Sequence, residues 1–200
     1  MLGLRDLNHL EIKCADIADD LGFPMFVKPA NAGSSIGINK ADDLDSLKEA
    51  VKIAFSHDSK VIIEEFVKGR ELEVAVFGYD SPFASFIGEI GKSNDFYDYE
   101  SKYINNSVNL FIPAKIPDDS AREIRETALN AFKAMGCKGL ARVDFFLKEN
   151  GEVILNEINT MPGFTSISMY PKLMEDLGMS YSYLIDKLIE QAIDNSDRNY

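Results

Sequence analysis

The clearest pattern in the chain is a pair of segments, Leu140–Leu147 and Glu152–Ile158, in which apolar and polar residues alternate. Alternation at every second residue is typical of strands that bury one face. The two segments are joined across Asn150-Gly151, and an Asn-Gly pair in this position is the strongest local signal for a β-hairpin. The pattern therefore predicts an antiparallel hairpin with its loop centred on this pair.

Four polar side chains of this hairpin are predicted to share one face. With the loop so centred, facing residues have numbers that add up to 301, so Asp144 faces Glu157 and Arg142 faces Asn159. Facing Cβ atoms lie about 4.5–5.5 Å apart, where two carboxylates repel each other unless a cation lies between them. Oxygen ligands of this kind suit Mg²⁺ or Mn²⁺, and the arginine can hold a developing anion. The alternative is an ordinary solvated hairpin face with a salt bridge.

Apolar residues at helical spacing predict several helices. One covers Leu10–Leu21, a second follows a cap at Asp42 or Asp43, and a third begins after Pro117. A last helix is capped by Ser180, and its spacing predicts that four residues face inward: Tyr181, Leu184, Leu188 and Ala192.

A short apolar strand, Pro24–Lys28, ends in a lysine and leads into the small-residue run 30–37. Backbone NH groups and hydroxyls in such a loop can approach phosphate oxygens closely, because no bulky side chain intervenes. The segment therefore predicts a phosphate cradle with Lys28 at its entrance. The alternatives are a surface lysine and a plain glycine-rich turn, and the run matches neither the P-loop nor the dinucleotide fingerprint.

Two further strands, Val61–Val67 and Glu71–Gly78, are separated by a short link that contains Gly69. A strand that passes through a glycine link into a second strand predicts a hinge between subdomains, here 1–68 and 69–200. Glu64 and Glu71 flank the link and are candidates to accept hydrogen bonds from a base and a ribose. The alternative is that both carboxylates are only solvated.

The stretch from Gly88 to Pro117 has no regular pattern, and the sequence predicts an irregular structure there. Its centre holds three tyrosines together with Lys102. Long structured loops are commonly lids or binding loops, so we expect a lid; the alternative is a surface excursion without function.

Composition narrows the class of protein. The 200 residues carry 21 Lys and Arg against 33 Asp and Glu, for a net charge of -12. This balance argues against nucleic acid or an anionic membrane as the main partner. No apolar run approaches the roughly 20 residues that span a bilayer. The two cysteines, Cys14 and Cys137, lack metal-site spacing, so we expect buried thiols and a cytoplasmic location.

Six ordered segments resemble those of ATP-grasp ligases, and above all the D-alanine–D-alanine ligase family. They read FVKPANAGSSIG, IIEEFVKGRELEVAV, FYDYESKY, GCKGLARVDFF, NEINTMPGFTSIS and MYP. The resemblance runs from Gly22 to Asn195 and is weak over residues 1–21. It implies an α+β ATP-grasp fold, in which the antiparallel sheets of two α+β subdomains hold ATP between them.

The resemblance implies a set of ATP-binding residues. Lys28 would contact an ATP phosphate, the Gly33-Ser34-Ser35 loop would close over the phosphates, and Glu71 would hold the ribose. Four consecutive residues would line the adenine pocket: Glu64, Glu65, Phe66 and Val67.

The resemblance also implies where the ions and the reaction intermediate are held. Asp144, Glu157 and Asn159 match the ligands of two Mg²⁺ or Mn²⁺ ions, with Glu157 bridging both. Arg142 and the backbone of Gly163 match the groups that stabilise the tetrahedral intermediate.

The resemblance implies a third set of residues, which binds the amino-acid substrates. Ser168 with Met169 matches the site for the carboxylate of the second D-alanine. Lys102 and Tyr103 match the lid over the reacting centre, where Tyr103 and Ser34 help to position substrate.

The implied reaction joins two D-alanines for peptidoglycan precursor synthesis. The first D-alanine carboxylate attacks the γ-phosphorus of ATP to form an acyl phosphate, and the amine of the second then displaces phosphate. Both steps build negative charge on oxygen, which the ions, Lys28, Lys102 and Arg142 are suited to neutralise. A lid would protect the acyl phosphate from water. The alternatives are a relative that uses D-serine or another amino acid, and an ATP-binding module without turnover.

Members of the family carry a further N-terminal domain of about a hundred residues, an ordinary domain size. Only 27 residues precede Lys28, so that domain has no counterpart here. We therefore expect a truncated or incomplete form that lacks part of the first D-alanine site. The resemblance also raises a homodimer of the family type.

Overall fold

The computed structural model describes residues 1–33, 35–91 and 109–196. They form two compact units, one within Met1–Val67 and the other made of the described residues from 68 onward. Each unit contains helices and an antiparallel sheet, which confirms the predicted α+β class.

The first unit is a four-stranded antiparallel sheet that shares one buried core with two helices. Its strands lie in the order β1-β4-β2-β3. In chain order its elements are β1 (Leu2–Gly3), a 3₁₀ helix (Leu4–His9), α1 (Leu10–Leu21), β2 (Met25–Pro29), β3 (Asn39–Ala41), α2 (Leu44–Phe55) and β4 (Lys60–Glu65).

The helix α2 shows why its start could be predicted only to within one residue. Of the two aspartates that precede it, Asp43 is the cap, and its Oδ1 accepts a hydrogen bond from the NH of Ser46 at 2.8 Å. The hydroxyl of Ser46 returns a hydrogen bond to Asp43 Oδ1 at 2.7 Å. These bonds satisfy donors that the first turn of a helix leaves unpaired, and they lower the pKa of the Asp43 carboxyl.

The second unit is a five-stranded antiparallel sheet with helices on both faces. Its strands lie in the order β7-β6-β5-β8-β9. Its elements are β5 (Arg70–Gly78), β6 (Phe83–Gly91), β7 (Asn109–Phe111), α3 (Asp118–Ala134), β8 (Gly139–Leu147), β9 (Val153–Asn159), α4 (Met169–Asp176) and α5 (Tyr181–Ser196).

The two faces of this sheet bury different helices. On one face α3 packs its Ile124, Ala128 and Phe132 against the even-numbered apolar residues of β5 and the odd-numbered ones of β8. On the other face α4 and α5 cover Ala75 and Phe77 of β5. Because side chains alternate along a strand, Arg142 and Asp144 of β8 lie on this second face.

The prediction of irregular structure between Gly88 and Pro117 is wrong at two places, Gly88–Gly91 and Asn109–Phe111. The strand β6 continues to Gly91, and β7 pairs with it, so that Ile90 faces Leu110. Gly88 and Gly91 weaken the strand signal at the start of this stretch. In the described part of the chain, no helix combines the length and the apolar character needed to cross a membrane.

Candidate functional site

The hairpin of β8 and β9 brings the four predicted side chains together. Arg142 faces Asn159 and Asp144 faces Glu157, which confirms both predicted pairs. The apolar residues between them point to the opposite face and join the core under α3. The hairpin thus presents two carboxylates, an amide and a guanidinium side by side on the sheet.

The loop that joins these strands differs from the predicted two-residue turn. The NH of Gly151 donates to the carbonyl of Lys148 at 3.0 Å, and Gly151 has φ 87°. This is a three-residue loop that ends in a left-handed glycine, so pairs next to it, such as Leu147 with Val153, add up to 300. One extra residue in β9, Asn156, forms a bulge after Asp144 and brings the total to 301. The pairs are right because the bulge offsets the longer loop.

Arg142 makes a bidentate contact with Asp144. Its Nε and Nη2 donate to Oδ1 and Oδ2 of Asp144, each at 2.7 Å. The Arg142 and Asp144 side chains are 16% and 13% exposed, so water screens the pair only weakly. A charge-assisted contact of this form fixes the plane of the guanidinium as well as its position.

A third carboxylate that the sequence did not single out, Glu73 of β5, lies directly opposite Asp144. It is 6% exposed, and its Oε2 lies 3.2 Å from Nε of Arg142. Glu73, Asp144 and Glu157 therefore follow one another across three neighbouring strands. The available signal was the spacing of Glu73 from Glu71, which puts both on one face of β5.

These charges act together on the arginine. Burial alone would lower the pKa of the Arg142 guanidinium. The hydrogen bonds to Asp144 and the charges of Glu73, Asp144 and Glu157 outweigh burial, so the pKa lies well above its ordinary value. Arg142 is therefore held in its charged form.

The donor set suits a hard divalent cation. Two carboxylates and the amide of Asn159 are oxygen ligands of the kind that Mg²⁺ and Mn²⁺ prefer. No group of three His, Cys, Asp or Glu side chains among the described residues is arranged to hold a metal. The third ligand here would be an amide oxygen, which now accepts from the NH of Met161 at 3.1 Å, and both oxygens of Asp144 are taken by Arg142. A metal that enters this set must compete with Arg142 for Asp144.

The segment that leads into α4 brings two further predicted residues together. Ser168 Oγ accepts from the NH of Thr165 at 3.1 Å and lies 2.9 Å from its hydroxyl. A Cβ atom at Gly163 would lie 3.0 Å from the same Oγ, so a side chain there would press on Ser168. Met169 is 5% exposed, and its side chain packs against Gly88.

In the first unit, Lys28 is paired with Glu64. Lys28 Nζ lies 2.8 Å from Glu64 Oε2, on the neighbouring strands β2 and β4. The lysine side chain is 19% exposed and the glutamate side chain 41%, so the pair is open to solvent on the glutamate side.

The residues after β4 form an exposed apolar platform. The rings of Phe66 and Phe26 lie 5.9 Å apart, and Lys40 Nζ lies 6.0 Å from the centre of the Phe66 ring. Phe66 and Glu65 are exposed and Val67 is half-buried. Glu71 lies in the second unit, on β5, where it faces Phe146 of β8.

The small-residue loop is anchored at both ends to the turn after α2. The backbone NH and side-chain amide of Asn31 donate to Asp58 Oδ2 at 2.7 and 2.9 Å. At the other end Gly37 has φ 72°, and a Cβ there would lie 2.7 Å from the His57 ring and 2.8 Å from Pro29. Only glycine fits that position.

Gly33 and Ser35 are the described residues on either side of the loop's centre. Gly33 is exposed with nothing within 4 Å of a Cβ built on it, and Ser35 takes the left-handed conformation with φ 60°. Ser34, Lys102 and Tyr103 lie outside the described residues, and their roles stay predictions.

The chain matches known proteins over almost its whole length. The family model described as D-ala D-ala ligase C-terminus matches residues 3–190. The D-alanine–D-alanine ligase of Acetivibrio thermocellus is 55% identical over 92% of this chain, and that of Shouchella clausii is 54% identical over 92%. The chain spans about half of these curated relatives, 49% and 50% of their lengths.

Solved structures agree with the sequence matches. The D-alanine-D-alanine ligase from Coxiella burnetii superposes with a TM-score of 0.84 at 36% identity, over 99% of this chain and 52% of that one. The VanG D-Ala:D-Ser ligase from Enterococcus faecalis gives 0.82 at 40% identity, over 95% of this chain and 55% of that one. The fold is therefore of the ATP-grasp type. The chain belongs to the D-alanine–D-alanine ligase family and corresponds to its C-terminal part.

Proposed function

We propose that this chain is the ATP- and metal-binding part of a D-alanine–D-alanine ligase. The observation that carries the proposal is the register of β8 and β9, which sets Asp144 against Glu157 with Arg142 beside them. Relatives of that name at 55% and 54% identity support the substrates. Because the chain spans only half of them, we assign it the nucleotide and metal chemistry and leave part of the first D-alanine site to the other half.

The nucleotide side of the proposal uses the ATP-binding residues that the resemblance implies. Lys28 would leave Glu64 to contact an ATP phosphate, and the small-residue loop, in which Gly33 is exposed, would offer its NH groups to the phosphates. The stretch from Glu64 to Val67 would line the adenine pocket, where Phe66 offers an exposed ring. Glu71 would accept hydrogen bonds from the ribose.

Asp144, Glu157 and Asn159 would hold Mg²⁺ or Mn²⁺, and the family resemblance implies two ions with Glu157 between them. When bound, the ions would neutralise charge on the transferred phosphoryl group. Arg142 is already oriented by two carboxylates, so it needs little rearrangement to face a developing oxyanion.

The acceptor side of the proposal lies before α4. The NH of Gly163 would join Arg142 in stabilising the tetrahedral intermediate. Ser168, whose hydroxyl is held by Thr165, and the backbone of Met169 would bind the carboxylate of the second D-alanine. Ser34, Lys102 and Tyr103 complete the proposed set as loop residues that cover the phosphates and position substrate.

A second substrate choice is favoured by one observation. The VanG D-Ala:D-Ser ligase is 40% identical to this chain, compared with 36% for the Coxiella burnetii D-alanine ligase and 55% for that of Acetivibrio thermocellus. D-serine is therefore the alternative second substrate. Phosphate release with D-alanine alone, compared with D-alanine plus D-serine, separates the two.

The remaining parts of the proposal concern the setting of the enzyme. Its partners would be small molecules, ATP and D-alanine, and the net charge of -12 argues against nucleic acid and anionic membranes. We place the reaction in the cytoplasm, and a homodimer of the family type remains a prediction.

The test measures MgATP binding by calorimetry and then Mg²⁺-dependent phosphate release. We would assay the chain alone and joined to the N-terminal half of its Acetivibrio thermocellus relative, with and without D-alanine. We expect MgATP binding in both forms and D-alanine-dependent phosphate release in the joined form. Binding without turnover in the joined form favours an ATP-binding module, and a folded chain that binds no MgATP contradicts the proposal.

A further inference from the structure

Glu73 has no role in the proposed reaction, yet it lies beside the residues that do. It is on β5 in the middle of the five-stranded sheet, directly opposite Asp144, and is 6% exposed. Its Oε2 lies 3.2 Å from Nε of Arg142, whose proton is directed to Asp144 Oδ1 at 2.7 Å. The contact with Glu73 is therefore an ion pair beside the hydrogen-bonded one.

A buried carboxylate at this position has an energetic cost. Taking a charge out of water costs several kcal/mol per ion, and a second carboxylate directly across the strand adds repulsion. The next residue on the same face of β5, Ala75, is apolar and packs in the core with α4. A charged residue beside such a core indicates a function other than packing.

The task follows from the competition for Asp144. Arg142 occupies both oxygens of Asp144, and a divalent cation held by Asp144 and Glu157 would need at least one of them. If Asp144 binds the metal, Arg142 loses its strongest hydrogen-bond partner and is repelled by the positive charge of the ion. Glu73 can remain its counter-ion, because it contacts the guanidinium from a different strand.

We propose that Glu73 is a positioning residue that keeps Arg142 in the site when a metal takes the oxygens of Asp144. The inference rests on the proposed function, because it needs the metal to bind at Asp144. Glu73 shares the guanidinium with Asp144, and it would remain the counter-ion of Arg142 when a metal holds Asp144. Arg142 thereby exchanges partners without leaving the place where it faces the reacting oxygen.

The experiment measures Mn²⁺ affinity in the presence of ATP, by the loss of the free Mn²⁺ electron paramagnetic resonance signal. The variant is Glu73→Gln. Its matched control is Glu89→Gln, which removes the charge of another partly buried glutamate paired with an arginine in the same sheet. In Glu73→Gln the arginine has lost its second carboxylate and holds Asp144 more firmly, so we expect Mn²⁺ affinity to fall about 10- to 100-fold, as for outer-shell residues of metal sites. We expect no change in Glu89→Gln.

A second background separates positioning from a general charge effect. In Arg142→Met the proposed intermediary is absent, so adding Glu73→Gln should leave Mn²⁺ affinity almost unchanged. If the 10- to 100-fold effect persists there, Glu73 does not act through Arg142 and the inference is wrong. Should Glu73→Gln fail to fold, Glu73→Asp, which keeps the charge on a shorter stem, should lose less than about tenfold.

The outcomes distinguish this inference from the proposed function. A wild-type chain that binds no Mn²⁺ with ATP contradicts the proposed function and the inference together. Wild-type binding with equal affinity in Glu73→Gln and Glu89→Gln contradicts the inference alone. Weaker binding in Glu73→Gln that disappears in the Arg142→Met background supports it.

Discussion

Two arginines of the same sheet, Arg70 and Arg142, each grip a carboxylate through two hydrogen bonds of 2.7 Å. Arg70 has one carboxylate, Glu89, and its Nη2 also donates to the carbonyl of Lys115 at 2.9 Å. Arg142 lies beside Asp144 and Glu73 and feels the charge of Glu157 as well. The first pair is neutral, whereas the second group of four side chains carries a net charge of -2.

The difference indicates what each group is for. A one-to-one pair at the side of a sheet, with Arg70 40% exposed, ties β5 to β6 and needs nothing further. Among the described residues, three carboxylates surround one guanidinium, an excess of negative charge that a divalent cation would offset. The predictions below separate these two uses of the same contact.

The largest effect is expected from removing each arginine. In Arg142→Met the buried Glu73 loses its ion pair, and we expect the free energy of unfolding to fall by about 3–5 kcal/mol, the range for a broken buried pair. In Arg70→Met the half-exposed pair should cost only about 1 kcal/mol. Urea unfolding of both variants measures the difference. Equal losses of unfolding free energy would contradict the distinction between the two arginines.

A smaller effect is expected from a third pair, Lys28 with Glu64 in the first unit, which is one-to-one and partly exposed. If Lys28 leaves Glu64 for a phosphate, Lys28→Met should weaken MgATP binding by about 10- to 100-fold, because bonds to charged groups are worth about 1.5–3 kcal/mol. Thermal stability should change little. Calorimetry against Lys48→Met, a lysine of similar exposure that is paired with Asp45 on α2, provides the control. A large loss of stability with unchanged MgATP affinity would make Lys28 structural.

Neutralising one carboxylate in each arginine group should change the stability in opposite directions. Glu157→Gln removes repulsion across the strands, so we expect the metal-free chain to gain about 0.2–1 kcal/mol of stability. Glu89→Gln, which takes a charge from the balanced pair, should lose stability instead. The two variants are compared by urea unfolding without metal. A loss in both would contradict the idea that the carboxylate row is poorly compensated.

The smallest effect is expected from Asp58, which lies outside both groups and holds the base of the small-residue loop. Desolvation acts to raise the pKa of its carboxyl, but hydrogen bonds from Asn31, Lys60 and Ser59 lower it on balance. A lowered pKa stabilises the fold above the unfolded value of about 3.9, and that stabilisation is lost as pH falls through the folded value. The protection of the Asn31 amide against hydrogen exchange, expressed relative to its intrinsic exchange rate at each pH, should therefore fall at acid pH. In Asp58→Asn we expect no such pH dependence.

The sequence was sufficient for the local parts of the site. The Asn-Gly signal and the alternation located the hairpin, and both facing pairs were correct although the loop and the bulge were not foreseen. Short-range patterns specify that a hairpin exists, but its turn type depends on a residue such as Gly151 and on twist that the pattern does not contain.

Glu73 could not be assigned from the sequence because its partners are distant in the chain. The pairing of β5 with β8 joins Glu73 to Asp144, and no local pattern fixes the register of strands so far apart. The prediction for the last helix, α5, is wrong at two positions. Its spacing predicts that Tyr181 and Ala192 face inward, but both are exposed, and the Tyr181 hydroxyl donates to the carbonyl of Phe164 at 2.8 Å.

The central claim is that Asp144 and its neighbours form a metal site in competition with Arg142. The most direct measurement is a Mn²⁺ titration with ATP, followed by electron paramagnetic resonance, of the wild-type chain and of Asp144→Asn. We predict saturable binding in the wild type and an affinity at least about 100-fold lower in Asp144→Asn, because a ligand and its charge are lost together. Equal affinities in the two folded proteins would contradict the account.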